Sequence, residues 1–145
     1  MNKLHDCIVN KNSSLKPVWF MRQAGRYLPE FQEIRRKNQN FIKLCLNVDL
    51  VKEITLQPIS RFNLDAAIIF SDILMIPYGV GQKVEFKKGY GPLLEKLNLE
   101  EIEKTSESNF TNKLNPVYKG IKEVKKDIGE KSLVGFVGAP WTLLV

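Results

Sequence analysis

The first regular pattern in the chain is Pro17-Val18-Trp19-Phe20-Met21, a short apolar run of β-prone residues that gives way to polar residues and a glycine. Such a run predicts a buried strand emptying into a loop over Arg22 to Leu28. From Pro29 the stretch Pro-Glu-Phe-Gln-Glu-Ile-Arg-Arg predicts a helix start, since proline suits the first turn and Glu30 and Glu33 complement the positive end of the dipole. A second short helix is expected over Phe41 to Leu46. Asn47 then caps a longer one, in which Leu50, Val51, Ile54 and, past a proline kink at Pro58, Ile59 and Phe62 recur at helical spacing. Asp65-Ala66-Ala67-Ile68-Ile69-Phe70 reads as the next buried strand, ending at Ser71-Asp72.

Val84 to Lys87 predicts a short extended piece before a turn at Gly89-Tyr90-Gly91-Pro92, and the polar, poorly patterned Leu93 to Asn112 is expected on the surface. Val117, Ile121, Val124 and Ile128 fall on one face of a further helix, with Lys119–Glu123 and Lys126–Glu130 spaced for i,i+4 pairs on the other. Leu133 to Val137 reads as another buried strand, and a helix can begin at Pro140. Strand, loop, helix and strand in alternation favour an α/β fold with parallel strands, whose functional residues gather at the strands' C-terminal ends. The pattern holds about three such units, whereas a closed barrel of eight takes about 250 residues. Residues 1 to 145 therefore read as a fragment, with no internal repeat or linker to divide them into separate domains.

Composition changes this picture little. Hydrophobic residues make up 43% and charged residues 26%, the balance of a globular protein. The apolar stretches fall far short of the roughly 20 residues needed to cross a bilayer, and Lys3, His5 and Asp6 stand where a signal peptide would be apolar, so a cytoplasmic location is expected. Cys7 and Cys45 have neither metal-ligand spacing nor a CxxC pair, and His5, near a terminus expected to be mobile, is the one histidine. Metal binding and Ser-His or Cys-His chemistry find no support in that set. Neither Gly81 nor Gly89 begins a phosphate loop. The 22 basic against 16 acidic residues leave a formal charge of +6. Its lysines do not interleave with aromatics on one face as a nucleic-acid-binding module would require, and a solvated surface is the expected reading.

The densest chemistry lies in Met21-Arg22-Gln23-Ala24-Gly25-Arg26-Tyr27, two arginines four apart with small residues between them at the end of a strand. Guanidinium groups bind carboxylates through forked hydrogen bonds, and Ala24 and Gly25 let backbone N–H groups approach a ligand. The alternative is a loop whose arginines form ordinary surface pairs. Asp72, closing the second strand, is either a satisfied turn cap or a functional acid. Arg35 extends the basic cluster if the first helix turns one face to the same pocket, while Arg36 and Lys37 are expected to face water. Trp19, Phe20, Tyr27, Phe31, Phe70 and Trp141 are expected in the core.

Pro17-Val-Trp-Phe-Met-Arg-Gln-Ala-Gly-Arg-Tyr-Leu-Pro29 resembles the N-terminal signature of the uroporphyrinogen decarboxylase family. Thr55-Leu-Gln-Pro-Ile59, Asp65-Ala-Ala-Ile-Ile-Phe-Ser-Asp-Ile-Leu74 and Gly135-Phe-Val-Gly-Ala-Pro-Trp-Thr-Leu143 resemble later blocks of that family in the same order. The resemblance implies a (β/α)8 TIM-type barrel, a homodimer when full length, and decarboxylation of the four acetates of uroporphyrinogen III to coproporphyrinogen III in haem biosynthesis. It implies no metal and no organic cofactor, because the protonated pyrrole ring is itself the electron sink. Carried over, Arg22 and Arg26 would bind substrate carboxylates, Gln23, Ala24 and Gly25 would line the pocket, and Arg35 would be a supporting contact. Asp72 would accept hydrogen bonds from the pyrrole N–H groups and stabilise the ring cation.

Corrinoid-dependent methyltransferases share the barrel but use zinc, and the arginine loop argues for the porphyrinogen instead. The family's later tyrosine, serine and histidine pocket residues would lie past Val145, so the 145-residue chain is expected to fold poorly and to be inactive by itself.

Overall fold

The computed structural model describes residues 2–21, 23–87, 89–96 and 98–144, the last by its backbone. At its centre β1 (Ala66–Ile68) pairs in parallel with β4 (Ser132–Val134), Ala67 standing opposite Leu133. Asp65 O and Ile69 N–H extend this ladder by one bond at each end, to Ser132 N–H and Val134 O. The alternation read from the sequence thus yields parallel neighbours, with a long excursion between them.

Helix α4 (Val48–Phe62) covers one face of this sheet. Asn47 caps it by accepting from Leu50 N–H, and Asn63, in the left-handed region at φ 47°, ends it. Val51, Ile54, Thr55, Pro58 and Ile59 form its buried stripe, and the helix continues through Pro58. Helix α8 (Asn115–Asp127) packs along α4 with Val124 fully buried and Val117, Ile121 and Ile128 on the same face, as the spacing predicted. The two helices come close at Gly120, where a Cβ would stand 3.0 Å from Val51 Cγ1. On the outer face Glu123 pairs with Lys126 at i,i+3 instead of with Lys119, and Lys52 of α4 pairs with Asp127.

Helix α2 (Pro29–Lys37) and α3 (Phe41–Cys45) complete the cluster through Phe31, Ile34, Ile42, Leu44 and Cys45. Asn40 caps α3 through Lys43 N–H. Helix α5 (Met75–Gly79) follows β1, and an antiparallel hairpin joins β2 (Val84–Lys87) to β3 (Gly91–Leu94), with Phe86 packed on Phe41 at 4.7 Å. Gly89 and Gly91 take positive φ at this turn, where a side chain would be strained.

Several expectations are corrected. Residues 17–20 run extended but form no strand: one backbone bond, from Asp65 N–H to Val18 O, ties them to the sheet, and Val18 N–H donates to the Asp65 carboxylate. Val18 to Met21 are 38–80% exposed, because no neighbour among the described residues covers their far side. Trp19, Phe20, Tyr27 and Trp141 are therefore not core residues, whereas Phe31 and Phe70 are. The strand expected over 133–137 stops at Val134, and Phe136 and Val137 are exposed. The polar stretch from Leu93 does lie at the surface, but it also contains β3 and two short helices, α6 (Leu99–Glu103) and α7 (Glu107–Lys113), capped by Asn98 and Ser106. The segment around His5 is helical: α1 (Lys3–Val9) is capped by Asn2 and bonded to the sheet by Lys3–Asp65 and by Ser132 on Asn2. Helix α9 (Pro140–Leu144) begins at the expected proline. Among the described residues, no helix is long and apolar enough to cross a membrane.

Candidate active site

The segment 17–20 runs in the same direction as β1. Val18 bonds Asp65 and the Gln23 side chain reaches the later Ala66 and Ile68, so the loop that follows Gln23 starts from beside the middle of β1, the strand that leads on to Asp72. Arg22 lies outside the described residues. Gln23 is only 2% exposed, and its side-chain amide is engaged at both ends: Nε2 donates to Ala66 O at 2.7 Å and Oε1 accepts from Ile68 N–H at 2.9 Å. Ala24 packs on the core and Leu28 is buried, so the loop is anchored on both sides. Between these anchors Leu28 N–H donates to Gly25 O, and the Tyr27 hydroxyl donates to Gln23 O. Gly25 has a local reason to be glycine, since a Cβ there would stand 3.0 Å from the Tyr27 ring. Arg26 is exposed at the turn, with its carbonyl held by the Gln32 side chain.

Asp72 is half-buried just past β1. Its Oδ1 accepts from Leu74 N–H at 2.8 Å and its carbonyl accepts from Met75 N–H, while Oδ2 bonds none of the described residues. The two readings of this carboxylate are thus compatible: one oxygen caps the turn into α5 and the other remains available. Burial pushes the Asp72 carboxyl above its ordinary value, against a smaller opposing effect of the Leu74 N–H. The strand end that carries it is fixed by Thr55, whose buried hydroxyl donates to Val51 O and accepts from Phe70 N–H at 2.9 Å. Sequence reasoning gave Thr55 no role. The signal was there in a lone hydroxyl on the apolar stripe of α4, between Ile54 and Pro58.

Arg35 is occupied locally. It donates to the carbonyls of Asn38 and Gln39 past the end of α2 and lies 5.3 Å over the Phe41 ring, where a cation also suits the helix C-terminus. Arg36 and Lys37 are exposed, as expected. The Cys45 thiol is pushed up to about 12, chiefly by burial, with the Asp72 charge adding to the rise and Arg35 opposing it. Both charges are therefore felt at this one buried sulfur. Among the described residues, no three His, Cys, Asp or Glu side chains converge as metal ligands would. A groove of about 630 Å³ lined by Glu30, Glu53, Leu56, Gln57, Ser60 and Arg61 contains none of the expected site residues.

A parallel strand pair flanked by helices, with Asp72 beyond the end of β1, makes this a mixed helix-and-strand protein. The sequence model of the uroporphyrinogen decarboxylase (URO-D) family matches residues 2–145, and the chain belongs to that family. It is 49% identical over 137 residues to the uroporphyrinogen decarboxylase of Rickettsia felis, covering 94% of this chain and 40% of that protein. Identity is 52% over 134 residues with the enzyme of Rickettsia canadensis (92% and 40%) and 46% over 145 residues with that of Rickettsia akari (99% and 43%). The chain thus spans about two fifths of the length of these relatives.

Proposed function

We propose that this chain forms the first three βα units of a (β/α)8 barrel, residues 1–145 belonging to one domain, and that it supplies the arginine loop and pyrrole-binding carboxylate of a uroporphyrinogen decarboxylase. The observation that carries this reading is that Gln23, at the head of the arginine loop, is bonded to β1, the same strand that leads to Asp72. In this reading Arg22 and Arg26 take substrate carboxylates, and the backbone of Gln23 to Gly25 lines the pocket. Arg35 is a supporting contact held in reserve by its bonds to Asn38 and Gln39.

The substrate is uroporphyrinogen III, and the reaction needs no metal or organic cofactor. A proton adds to a pyrrole α-carbon, the resulting iminium receives the electron pair of the breaking C–CO2 bond, carbon dioxide leaves, a second proton completes the new methyl group, and loss of the first proton from the α-carbon restores the pyrrole. Four such rounds give coproporphyrinogen III. Asp72 holds pyrrole N–H groups on its free oxygen and stabilises the transient ring cation, a carboxylate in a partly dry site being worth more than one in water. An arginine's very high pKa makes it a poor general acid, so the guanidiniums bind and orient. The assembled protein is a cytoplasmic homodimer, and the chain by itself turns over no porphyrinogen.

Co-expression of this chain with the remaining three fifths of the Rickettsia felis relative tests the reading. Coproporphyrin is expected in the assay extract, with the rate falling about a hundredfold in Asp72→Asn, the scale of losing one aimed electrostatic group. Turnover by the chain alone, or turnover unchanged in both Asp72→Asn and Arg26→Gln, would reject it.

A further inference from the structure

We propose that Gln23 is a positioning residue whose side-chain amide replaces one residue of a neighbouring parallel strand and thereby fixes the arginine loop beside β1. In a parallel ladder, a residue's N–H donates to the carbonyl one place before its opposite number, and its C=O accepts from the N–H one place after. Gln23 Nε2 on Ala66 O and Oε1 under Ile68 N–H reproduce that pattern centred on Ala67. The other edge of β1 is taken, since Asp65 O and Ile69 N–H turn to β4. The groups at Ala66 and Ile68 therefore face away from β4, where segment 17–20 supplies a main-chain bond only at Val18. A side chain has taken over where the main chain has already left for the loop.

The consequence is local. Arg26 departs three residues beyond a point clamped to the same strand that leads to Asp72, so the two are set against one frame. This role rests on the carboxylate-binding reading of the loop, and it assigns the Gln23 amide to β1 and not to the substrate. Few side chains could replace it. Asparagine is one methylene short, leucine would leave Ala66 O and Ile68 N–H without partners, and an ionised glutamate would set a carboxylate oxygen against Ala66 O.

Gln23→Glu in the whole chain turns the clamp into a titratable one. Burial raises the carboxyl's pKa; once protonated, its O–H donates to Ala66 O and its C=O accepts from Ile68 N–H, rebuilding the pair. Native chain and variant are compared between about pH 8.5 and about pH 5.5, a span that brackets a carboxyl raised by burial. The readouts are NMR exchange of the Ile68 amide, the amide signals of Ala24, Gly25 and Arg26, and, for the chain co-expressed with the remaining three fifths of the Rickettsia felis relative, fluorescence titration with uroporphyrin. At high pH the variant is expected to exchange Ile68 faster, to shift the loop signals, and to bind uroporphyrin about tenfold more weakly than the native assembly, a loss of the size of one hydrogen-bond pair. All three should return toward native values at low pH. Loop signals that stay native while Ile68 loses protection would overturn the proposal, since the amide would then be a sheet fastener only. If Gln23→Glu does not fold, Gln23→Asn decides by the same loop signals: a shift supports the proposal and native signals overturn it. Failure of the native assembly to bind uroporphyrin would count against the functional reading, whereas the loop signals judge the positioning role on their own.

Discussion

Ala66 to Phe70 and Val18 to Met21 are both unbroken apolar runs, and the molecule treats them in opposite ways. The first has β4 on one edge, the Gln23 amide on the other and α4 packed against it, so Ala66, Ala67, Ile69 and Phe70 are buried. The second has a single main-chain bond and leaves all four side chains 38–80% exposed. A continuous apolar run records what a strand of a parallel sheet requires, namely cover on both faces. It does not record whether the cover is at hand. Phe136, Val137 and Trp141, beyond β4, repeat the lesson on the opposite flank.

The largest expected effect comes from breaking the covered side. Ile54 is fully buried where α4 meets the sheet, and Ile54→Ala is expected to lower the exchange protection of the β1 amides by about 2–5 kcal/mol. Met21→Ala, made at a residue 80% exposed, should change the same readout by less than about 0.5 kcal/mol. Comparable losses from both substitutions would mean that the 17–21 run is covered after all, and the contrast would fail.

The same contrast explains what could be read from the sequence. Helices α2, α4 and α8 were legible because Pro29, Asn47 and the Val117-Ile121-Val124-Ile128 face are local signals, each confined to a turn or two. The strand read over Asp65 to Phe70 was legible in place but not in length, since β1 stops at Ile68, ahead of Ser71-Asp72. The exposure of Trp19 and Trp141 was not, because it depends on what stands beside them in space. Nor was the division of labour in the arginine loop: Gln23 looks like a pocket residue in sequence, and only the positions of Ala66 and Ile68 show where its amide goes. Helices α6 and α7 were missed because their polar, short sequences carry little periodicity, although Asn98 and Ser106 are ordinary caps.

A middle-sized effect sharpens the comparison by setting one glutamine against another. Gln23 has both ends of its amide bonded, whereas the buried Nε2 and Oε1 of Gln57 bond none of the described residues. An unpartnered buried amide costs about 1–3 kcal/mol. Gln57→Met, which keeps the length and removes the polar atoms, should therefore stabilise the chain by about 1 kcal/mol in urea unfolding. Destabilisation would show that Gln57 has a partner and that the groove beside it is filled.

The smallest effect concerns Asp72, and its sign depends on pH. Burial raises the carboxyl above its ordinary value of 3.8 in the folded chain, so the folded state holds this proton more tightly than the unfolded one does. Stability then falls as pH rises from that value through the raised one, and the penalty stays in full above it. Asp72→Asn removes the titrating group while its carbonyl oxygen can still accept from Leu74 N–H, preserving the turn. The variant should accordingly melt higher than the native chain at neutral pH, by less than the gain from Gln57→Met, because the Leu74 bond already offsets part of the burial cost. The gap should narrow as the pH drops and close below the unfolded value, where both side chains are neutral. A lower melting temperature for Asp72→Asn at neutral pH would mean that the charged form is stabilised in the fold by a cation the described residues do not include. Asp72 would then be a structural ion-pair partner, not a carboxylate kept in a costly place for its chemistry.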